Sequence, residues 1–355
     1  MPGNKEHPLV SVLLAFYNNI QYVEESIRSV INQTYKNIEL IVVDDCSPDE
    51  KASQYIKELA DRYQFTLIRK EKNQGASKAF QTAFEYSKGE WISIISQDDY
   101  YCLNKIEYQL NKVREQKLDC LYCNGVVFEN ANPKKSKKFD STEVLKAQEI
   151  SQKAAADYIA VRQDVPCMLT QGAIYRRQIF SDLAWMREKF LLDDLPFTIQ
   201  VWRDYKTAFD DTVLYNYRLH DTNEHKKFWK WFPARIQTIT ELMADEQKPD
   251  TIGVAFADAA HYSQTIGAHR EAYLYAVAGL ALCKTPEHIS RCLTVINAMD
   301  NRKLKEFNCE FSAKMKRIFI RETLIYKFWR FALRRLISLC PLKNTRKKLR
   351  RKYGV

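Results

Sequence analysis

Apolar runs and helical patterns alternate along the first third of the chain. Two runs rich in Val, Ile and Leu, 9–17 and 38–45, have the composition of strands that are buried on both faces, and the runs 65–70, 91–95 and 120–128 are predicted as further strands. Three segments between them have an apolar helical stripe or helix start and stop residues: 20–33, 47–63 and 77–89. This alternation predicts an α/β fold in which a mainly parallel, doubly wound sheet is flanked by helices. Such sheets bind ligands at the carboxyl ends of their strands.

Beyond this region the pattern changes. Residues 130–165 are predicted to form a lysine-rich loop followed by a helix, and residues 165–220 to have mixed structure. Helical patterns then prevail up to the basic end of the chain. The sequence therefore predicts three parts, which are an α/β domain over residues 1–225, an α-helical region over 226–312 and a tail over 313–355.

The net charge of +11 is concentrated at one end of the chain. Residues 314–355 contain 15 Lys or Arg and one acidic residue, Glu322. The remaining 313 residues contain 40 basic and 43 acidic side chains, which gives them a net charge of −3. Because the body has no basic excess, its charge does not predict a nucleic-acid-binding surface.

Cysteine usage and the N-terminal pattern predict a cytoplasmic protein. The nine cysteines lack framework spacing, which fits a reducing compartment. Cys120 and Cys123 form a C-x-x-C, but residues three apart in a strand point to opposite faces, so we predict core packing for them. Residues 1–7 lack the pattern of a signal peptide. No apolar run approaches the ~18 residues that a membrane-spanning helix needs.

Glycine and histidine positions exclude several common chemistries. The dinucleotide fingerprint, the Walker loop and the G-x-S-x-G elbow are all absent around the nine glycines. The six histidines include no H-x-x-x-H pair, so the sequence does not predict a zinc site. Carboxylates are the side chains that remain to carry chemistry.

Two pairs of aspartates follow predicted strands. Asp44 and Asp45 end the second strand, and Asp98 and Asp99 follow the fourth, in WISIISQDDYY. In a parallel sheet both pairs emerge at the same carboxyl edge, where four negative charges repel one another unless a cation or hydrogen-bond donors share the site. Mg²⁺ or Mn²⁺, which prefers oxygen ligands and often bridges to a phosphate, is the predicted cofactor. Solvated turn aspartates are the alternative.

These segments resemble the family 2 glycosyltransferases, which are inverting enzymes with the GT-A nucleotide-diphospho-sugar fold. The resemblance runs from Pro8 to His220. It rests on VSVLLAFYN, SIRSVINQTYKNIELIVVDDCSPD, NQGASKAF, KGEWISIISQDDYY, LLDDL and YRLH. It implies transfer of a sugar from a nucleotide diphosphate donor to a hydroxyl group, with inversion at the anomeric carbon.

The resemblance also implies roles for the donor-side residues. Tyr17 would stack on the nucleotide base, and Asp45 would accept a hydrogen bond from a base N–H, which favours uracil and hence a UDP-sugar. Asp98 would hold the ribose hydroxyls, and Gly75 in NQGASKAF would belong to the nucleotide site. Asp99 would bind the divalent metal that bridges the diphosphate, where the metal stabilises the leaving group.

The acceptor side is implied by two later motifs. In FLLDDLPF, Asp194 would be the base that takes the proton of the acceptor hydroxyl, and Asp193 would support it. Both could instead be ordinary helix-capping residues. His220 in YRLH would face the diphosphate or the metal, with a purely structural histidine as the alternative.

Four positions depart from the common family pattern. Ser96 stands where many members have the first acidic residue of D-x-D-D. Phe80 and Gln81 stand where Ala-Arg-Asn is common, and Ala15 replaces a frequent Pro or Thr. These departures affect the donor assignment more than the fold.

The tail resembles a helix that lies in a membrane interface. Ile325, Phe328, Ala332, Leu336 and Leu339 form one helical stripe beside arginines, and a basic cluster at 346–352 follows. A helix packed on the body and an RNA-binding segment are the alternatives. Peripheral binding to the inner face of a bacterial cell membrane would suit a lipid-linked saccharide acceptor, as in the synthesis of O-antigen or capsule.

Two other functions remain open at this point. A nucleotidyltransferase would share the sheet and the aspartates, but AFYNNIQY lacks the Gly-rich, basic loop expected after its first strand. A non-catalytic sugar-nucleotide-binding scaffold would fit if the missing acid at Ser96 abolishes activity. Pairing of two subunits through the helical region also stays open.

Overall fold

The computed structural model of the chain describes residues 7–129, 132–162, 167, 170–183, 194–220, 228–242, 248–265, 267–284 and 286–298. The chain divides into two compact units, Met1–Trp231 and Phe232–Val355. The boundaries predicted at 225 and 312 remain predictions, and the predicted tail lies outside the described residues.

The first unit is built on one sheet of nine strands within the described residues. The strands are β1 (Val10–Phe16), β2 (Ile38–Asp44), β3 (Thr66–Arg69), β4 (Trp91–Ser96), β5 (Tyr100–Tyr101), β6 (Cys120–Glu129), β7 (Asn132–Lys138), β8 (Ala173–Arg176) and β9 (Thr207–Leu219). Their spatial order is β3-β2-β1-β4-β8-β6-β9-β5, with β7 paired to β6. The β3-β2-β1-β4 half is parallel, whereas β8 runs antiparallel to both of its neighbours.

Eight helices accompany this sheet in the described part of the first unit. They are α1 (Val23–Ile31), α2 (Glu50–Tyr63), α3 (Ala76–Tyr86), α4 (Lys105–Gln116), α5 (Thr142–Ile150), α6 (Gln152–Arg162), α7 (Arg177–Leu183) and α8 (Asp194–Asp204). The predicted α/β class, with a parallel sheet flanked by helices, is therefore confirmed. All five predicted strands are present with ends shifted by at most one residue.

One local prediction was wrong. The segment predicted as a lysine-rich loop begins with a strand, β7, that pairs antiparallel with β6. Lysines disfavour the interior of a sheet, but they are common on strands at an edge, where they also deter pairing with other chains. A single-sequence pattern therefore hides such a strand, because its stability comes from the partner strand rather than from its own apolar residues.

The parallel half of the sheet aligns three strand ends. Phe16 at the end of β1 is opposite Asp44 on β2, and Ala15 is opposite Ser96 on β4. Val12, Leu14, Val42 and Ile27 of α1 belong to the core cluster beneath this edge and are fully buried. The residues that follow β1, β2 and β4 therefore start side by side on a rigid support.

The second unit is helical in its described part. It contains most of α9 (Phe228–Leu242), with α10 (Lys248–Thr265), α11 (His269–Leu282) and α12 (Pro286–Asn297). Its core is formed largely by small side chains, which let the helices approach closely: Ala257, Ala260, Ala272, Ala276, Cys283, Cys292 and Val295. Among the described residues, no helix is both long and apolar enough to cross a bilayer.

Candidate active site

A hydrogen bond links the loops that follow β1 and β4 at the carboxyl edge of the sheet. The backbone N–H of Tyr17 donates to the Gln97 side-chain oxygen at 2.8 Å. The backbone N–H of Asp45 donates to the Phe16 carbonyl at 2.9 Å, which fixes the loop after β2 beside them. The Tyr17 side chain remains 41% exposed. A half-exposed ring on a fixed backbone can stack on a planar ligand, as predicted for Tyr17.

Asp45 organises the loop between β3 and α3. Its carboxylate forms an ion pair with Lys70 at 2.7 Å and accepts the backbone N–H groups of Gln74 at 3.1 Å and Gly75 at 2.6 Å. Gly75 has a φ of +88°, a conformation that other residues rarely adopt. The Asp45 carboxylate is therefore already hydrogen-bonded to the loop between β3 and α3. If it also binds the nucleotide base, as predicted, it would use one of its remaining lone pairs.

Asp98 is the partly exposed member of the second aspartate pair. Its carboxylate lies 2.9 Å from the Nε2 atom of His220, which follows β9. The side chains of Asp98 and His220 keep 21% and 12% of their surface exposed. The His220 ring also packs against Tyr22, with ring centres 5.3 Å apart. The structure thus brings two predicted site residues together from segments more than a hundred residues apart.

Asp99 points into the protein. It is 2% exposed, and its two carboxylate oxygens accept the backbone N–H of Arg218 and the side-chain amide of Gln171, each at 2.9 Å. Burial raises the pKa of Asp99 well above its usual value, and the negative charge of Asp98 acts in the same direction, against the two hydrogen bonds. Metal binding by Asp99 and ribose binding by Asp98 stay predictions, but this placement favours Asp98 as the carboxylate that faces a ligand.

Arg218 and Gln171 were not singled out from the sequence. Gln171 lies in a 3-10 turn, Thr170–Gly172, that precedes β8. Arg218 belongs to the YRLH motif, in which the family resemblance implies a role only for His220. The Arg218 guanidinium donates through Nε to the Asp98 carbonyl at 2.9 Å and pairs with Glu25 of α1. The adjacency of Arg218 to His220 was the one sequence signal that could have indicated it.

The chemistry of this edge fits a cation that arrives with a phosphate. The described residues contain no group of three or more His, Cys, Asp or Glu side chains that could hold a metal ion. The Asp98 and His220 pair offers one imidazole nitrogen and one carboxylate oxygen, and the carboxylate is a ligand that suits Mg²⁺ and Mn²⁺. Mg²⁺ and similar ions often bind through one or two protein ligands and complete their coordination with substrate phosphates and water. The pair therefore fits a metal that the diphosphate helps to hold.

Asp194, the predicted base, begins α8. Its side chain is exposed, yet the surrounding protein removes enough hydration to raise its pKa, against backbone hydrogen bonds that lower it. The negative charges of Asp99, Asp98 and Asp194 all add to the burial that raises the pKa of Tyr217. Asp194 and the aspartate pair thus act on the same tyrosine. Asp193 lies outside the described residues.

Comparison with solved structures identifies the class of fold. The chain of Staphylococcus aureus TarS 1–349 in complex with UDP-GlcNAc aligns with a TM-score of 0.56 over 81% of this chain and 89% of that chain, at 16% identity. A mannosyltransferase from Pyrobaculum calidifontis in complex with GDP-Man and Mn²⁺ aligns with a TM-score of 0.52 over 94% and 86%, at 14% identity. These likenesses show the fold, which is GT-A-like.

The sequence comparison then gives the family. Residues 11–184 match the family model for Glycosyl transferase family 2, so the chain contains a domain of that family. The resemblance seen in the sequence is confirmed.

Curated relatives agree with this family. An uncharacterized glycosyltransferase of Rickettsia conorii is 29% identical over 239 residues, which are 64% of this chain and 36% of the relative. A UDP-Glc:α-D-GlcNAc-diphosphoundecaprenol β-1,3-glucosyltransferase of Escherichia coli is 34% identical over 122 residues, which are 34% of this chain and 47% of the relative. The chain spans about a third of the length of the first curated relatives that it matches.

Proposed function

We propose that this chain is an inverting, metal-dependent glycosyltransferase that moves one sugar from a nucleotide diphosphate donor to a hydroxyl of a lipid-linked saccharide. The observation that carries the proposal is the Asp98–His220 pair at 2.9 Å, beside the half-exposed Tyr17 ring at the same edge of a family 2 domain. In this proposal Tyr17 and Asp45 bind the base, Gly75 shapes the nucleotide loop, and Asp98 with His220 faces the diphosphate.

A UDP-sugar is the proposed donor. Asp45 is the residue that the family resemblance assigns to a base N–H, and uracil offers one. The Escherichia coli relative uses UDP-Glc by its name, whereas the two solved neighbours contain UDP-GlcNAc and GDP-Man. The fold likeness alone therefore does not choose the base, and the sequence relative favours uracil.

Each proposed step uses a residue of this chain. A Mn²⁺ or Mg²⁺ ion, when bound, supplies charge stabilisation of the leaving diphosphate. Asp98 and His220 would hold that ion together with oxygens of the diphosphate. The buried Asp99 would fix the turn after β4 through its hydrogen bonds to Arg218 and Gln171. Asp194 would take the proton from the acceptor hydroxyl as that oxygen attacks the anomeric carbon from the face opposite the diphosphate. The raised pKa of Asp194 brings it nearer to that of an effective base at neutral pH.

The acceptor and location are proposed from the relative and from the sequence. The Escherichia coli relative is named for a sugar linked to diphosphoundecaprenol. The basic tail would bring this chain to the inner face of the membrane where such an acceptor lies. Growth of a surface polysaccharide such as O-antigen or capsule is the process that this combination supports.

Release of the nucleoside diphosphate from a panel of nucleotide sugars, with and without Mn²⁺, tests the proposal. We expect slow, Mn²⁺-dependent UDP release from one UDP-sugar, with faster release when a lipid-linked saccharide is added. Tight donor binding without release in any condition would favour the non-catalytic scaffold. Absence of both binding and release across the panel would contradict the proposed function.

A further inference from the structure

Arg218 is a buried cation next to the candidate cation site. It is 5% exposed, although arginine is rarely buried without a partner. Its guanidinium remains protonated in proteins, so its charge must be compensated where it lies. Glu25, the first-turn acid of α1, forms an ion pair with it and is itself 54% exposed. The guanidinium also lies 4.5 Å from the Tyr22 ring centre and 4.8 Å from that of Phe128.

The same residue contacts both aspartates of the turn after β4. Its Nε donates to the Asp98 carbonyl at 2.9 Å, and its backbone N–H donates to the Asp99 carboxylate at 2.9 Å. One residue of β9 therefore fixes two consecutive residues of the β4 turn. This arrangement restricts the direction in which the Asp98 side chain leaves the backbone.

Arg218 is also linked to the other member of the pair. His220 follows two residues later, and its ring packs on the same Tyr22 ring that faces the guanidinium. The guanidinium thus contacts the Asp98 backbone and also the Tyr22 ring, against which His220 packs. None of these contacts places Arg218 itself on a ligand.

We propose that Arg218 is a positioning residue that holds Asp98 and His220 in one shared orientation toward the cation and the diphosphate. The inference rests on the proposed function for its ligand, but the orientation of the pair is a property of the free protein. Groups behind metal ligands commonly change metal affinity by about 10- to 100-fold when they are removed.

Arg218→Met tests this inference, because it keeps much of the side-chain volume and removes the charge and the hydrogen bond. Its partner Glu25 is half exposed and can be hydrated when the pair is lost. Arg177→Met is the matched control. The Arg177 guanidinium lies 4.5 Å from the Phe84 ring centre and donates to Ser87 at 2.7 Å, so it also combines an aromatic contact with a hydrogen bond, but away from the Asp98–His220 pair.

Two measurements are made on the full chain, with thermal melting to verify folding. The first is NMR of the His220 ring nitrogens without metal or nucleotide, where Arg218→Met should change the tautomer populations and Arg177→Met should not. The second is Mn²⁺ affinity in the presence of UDP by electron paramagnetic resonance. There we expect a loss of about tenfold in Arg218→Met, a smaller loss in Arg218→Lys and none in Arg177→Met.

The outcomes separate the two proposals. A folded Arg218→Met variant with an unchanged His220 spectrum would overturn the positioning role. Failure of the wild type to bind Mn²⁺ with UDP would count against the proposed function, while the His220 spectrum would still decide the role of Arg218. If Arg218→Met does not fold, Arg218→Lys and Glu25→Gln take its place in both measurements. Wild-type behaviour of both substitutes would overturn the inference.

Discussion

The two aspartates that follow β4 have opposite environments. Asp98 is partly exposed and bonded to His220, whereas Asp99 is buried between two neutral donors, the Arg218 backbone and the Gln171 amide. An asparagine at 99 could still accept from the Arg218 N–H, and rotation of the Gln171 amide would let its oxygen accept from the new NH₂ group. An asparagine at 98 would instead remove the only negative charge of the proposed metal pair.

This contrast predicts different effects on metal binding. We expect Asp98→Asn to lower Mn²⁺ affinity in the presence of UDP by at least about tenfold and to abolish turnover. Asp99→Asn should keep Mn²⁺ affinity within about threefold of the wild type, because it is predicted to preserve the hydrogen bonds. Calorimetric titration of both variants checks this. The reverse order of effects would favour Asp99 as the metal ligand, as the family resemblance implies.

A second residue-scale prediction concerns the proposed base. Asp194→Asn should abolish sugar transfer while leaving UDP binding intact, since an amide cannot take the acceptor proton. Because the pKa of Asp194 is raised and the base must be deprotonated, the wild-type rate should fall with decreasing pH, beginning at a higher pH than for an ordinary aspartate. Single-turnover rates across acidic pH values measure this.

Asp204→Asn is the matched control for that variant, because Asp204 is an exposed aspartate at the opposite end of α8. It should transfer sugar at the wild-type rate. Normal turnover by Asp194→Asn would rule out the assignment of the base.

At the scale of single residues, the sequence indicated which residues lie close together, but not which way their side chains point. Adjacent acids after a strand are readable from the pattern, and so is their convergence at one edge of a parallel sheet. Which of the two points outward is decided by partners 72 and 119 residues away, Gln171 and Arg218. Contacts of this range depend on the pairing of the second half of the sheet, which local periodicity does not encode.

At the scale of elements, Lys105 joins the parallel half of the sheet to the antiparallel half. This residue begins α4 and is fully buried. Its ammonium group donates to Ser93 on β4 at 3.0 Å, to Gln109 at 2.8 Å and to the Ala173 carbonyl on β8 at 3.2 Å. It also lies 4.2 Å from the centre of the Tyr101 ring. Three acceptors match its three donors, which partly offsets the cost of burying it.

Burial nevertheless lowers the pKa of Lys105 from 10.5 to about 7. Between these values the unfolded chain keeps a proton that the folded chain has lost, so the free energy of unfolding should rise with pH across this window. The rise from this one group is about 1.4 kcal/mol per pH unit. Urea titrations at several pH values from about pH 7 to about pH 10 measure this. The free energy of unfolding of the wild type minus that of Lys105→Met should increase with pH over this range.

Lys112→Met provides the comparison on the same helix, because Lys112 is only partly buried. It reports the pH dependence that follows from removing a partly buried lysine of this helix. A Lys105→Met difference that changes no more with pH than the Lys112→Met difference would contradict a lowered pKa at Lys105.

The sheet also shows which elements the sequence could predict. The apolar strands and the helices between them were readable, because burial on both faces imposes a strong local pattern. The two-residue strand β5 and the lysine-rich β7 were not, because each is short or polar and is defined by its pairing with β9 or β6. The antiparallel half was therefore harder to predict than the parallel half.

At the scale of the whole molecule, charge separates the body from the tail. The described residues belong to a body whose sequence is close to neutral, while residues 314–355 have a net charge of +14. A basic segment with an apolar helical stripe gains from an anionic leaflet both by burying the stripe and by about 1 kcal/mol for each basic residue near the surface. The tail should therefore decide whether the chain associates with membranes.

Sedimentation with lipid vesicles tests this last prediction. The intact chain should sediment with vesicles rich in anionic lipid, and less with neutral vesicles, whereas a chain ending at Lys316 should remain in the supernatant. Binding should weaken as salt rises, since the Debye length falls from about 10 Å at 0.1 M to about 3 Å at 1 M. Replacing the basic residues of 346–352 by glutamine keeps the apolar stripe and should reduce the salt-dependent part alone. Equal sedimentation of the intact and shortened chains would place any membrane contact in the body and remove the tail from the proposed route to a lipid-linked acceptor.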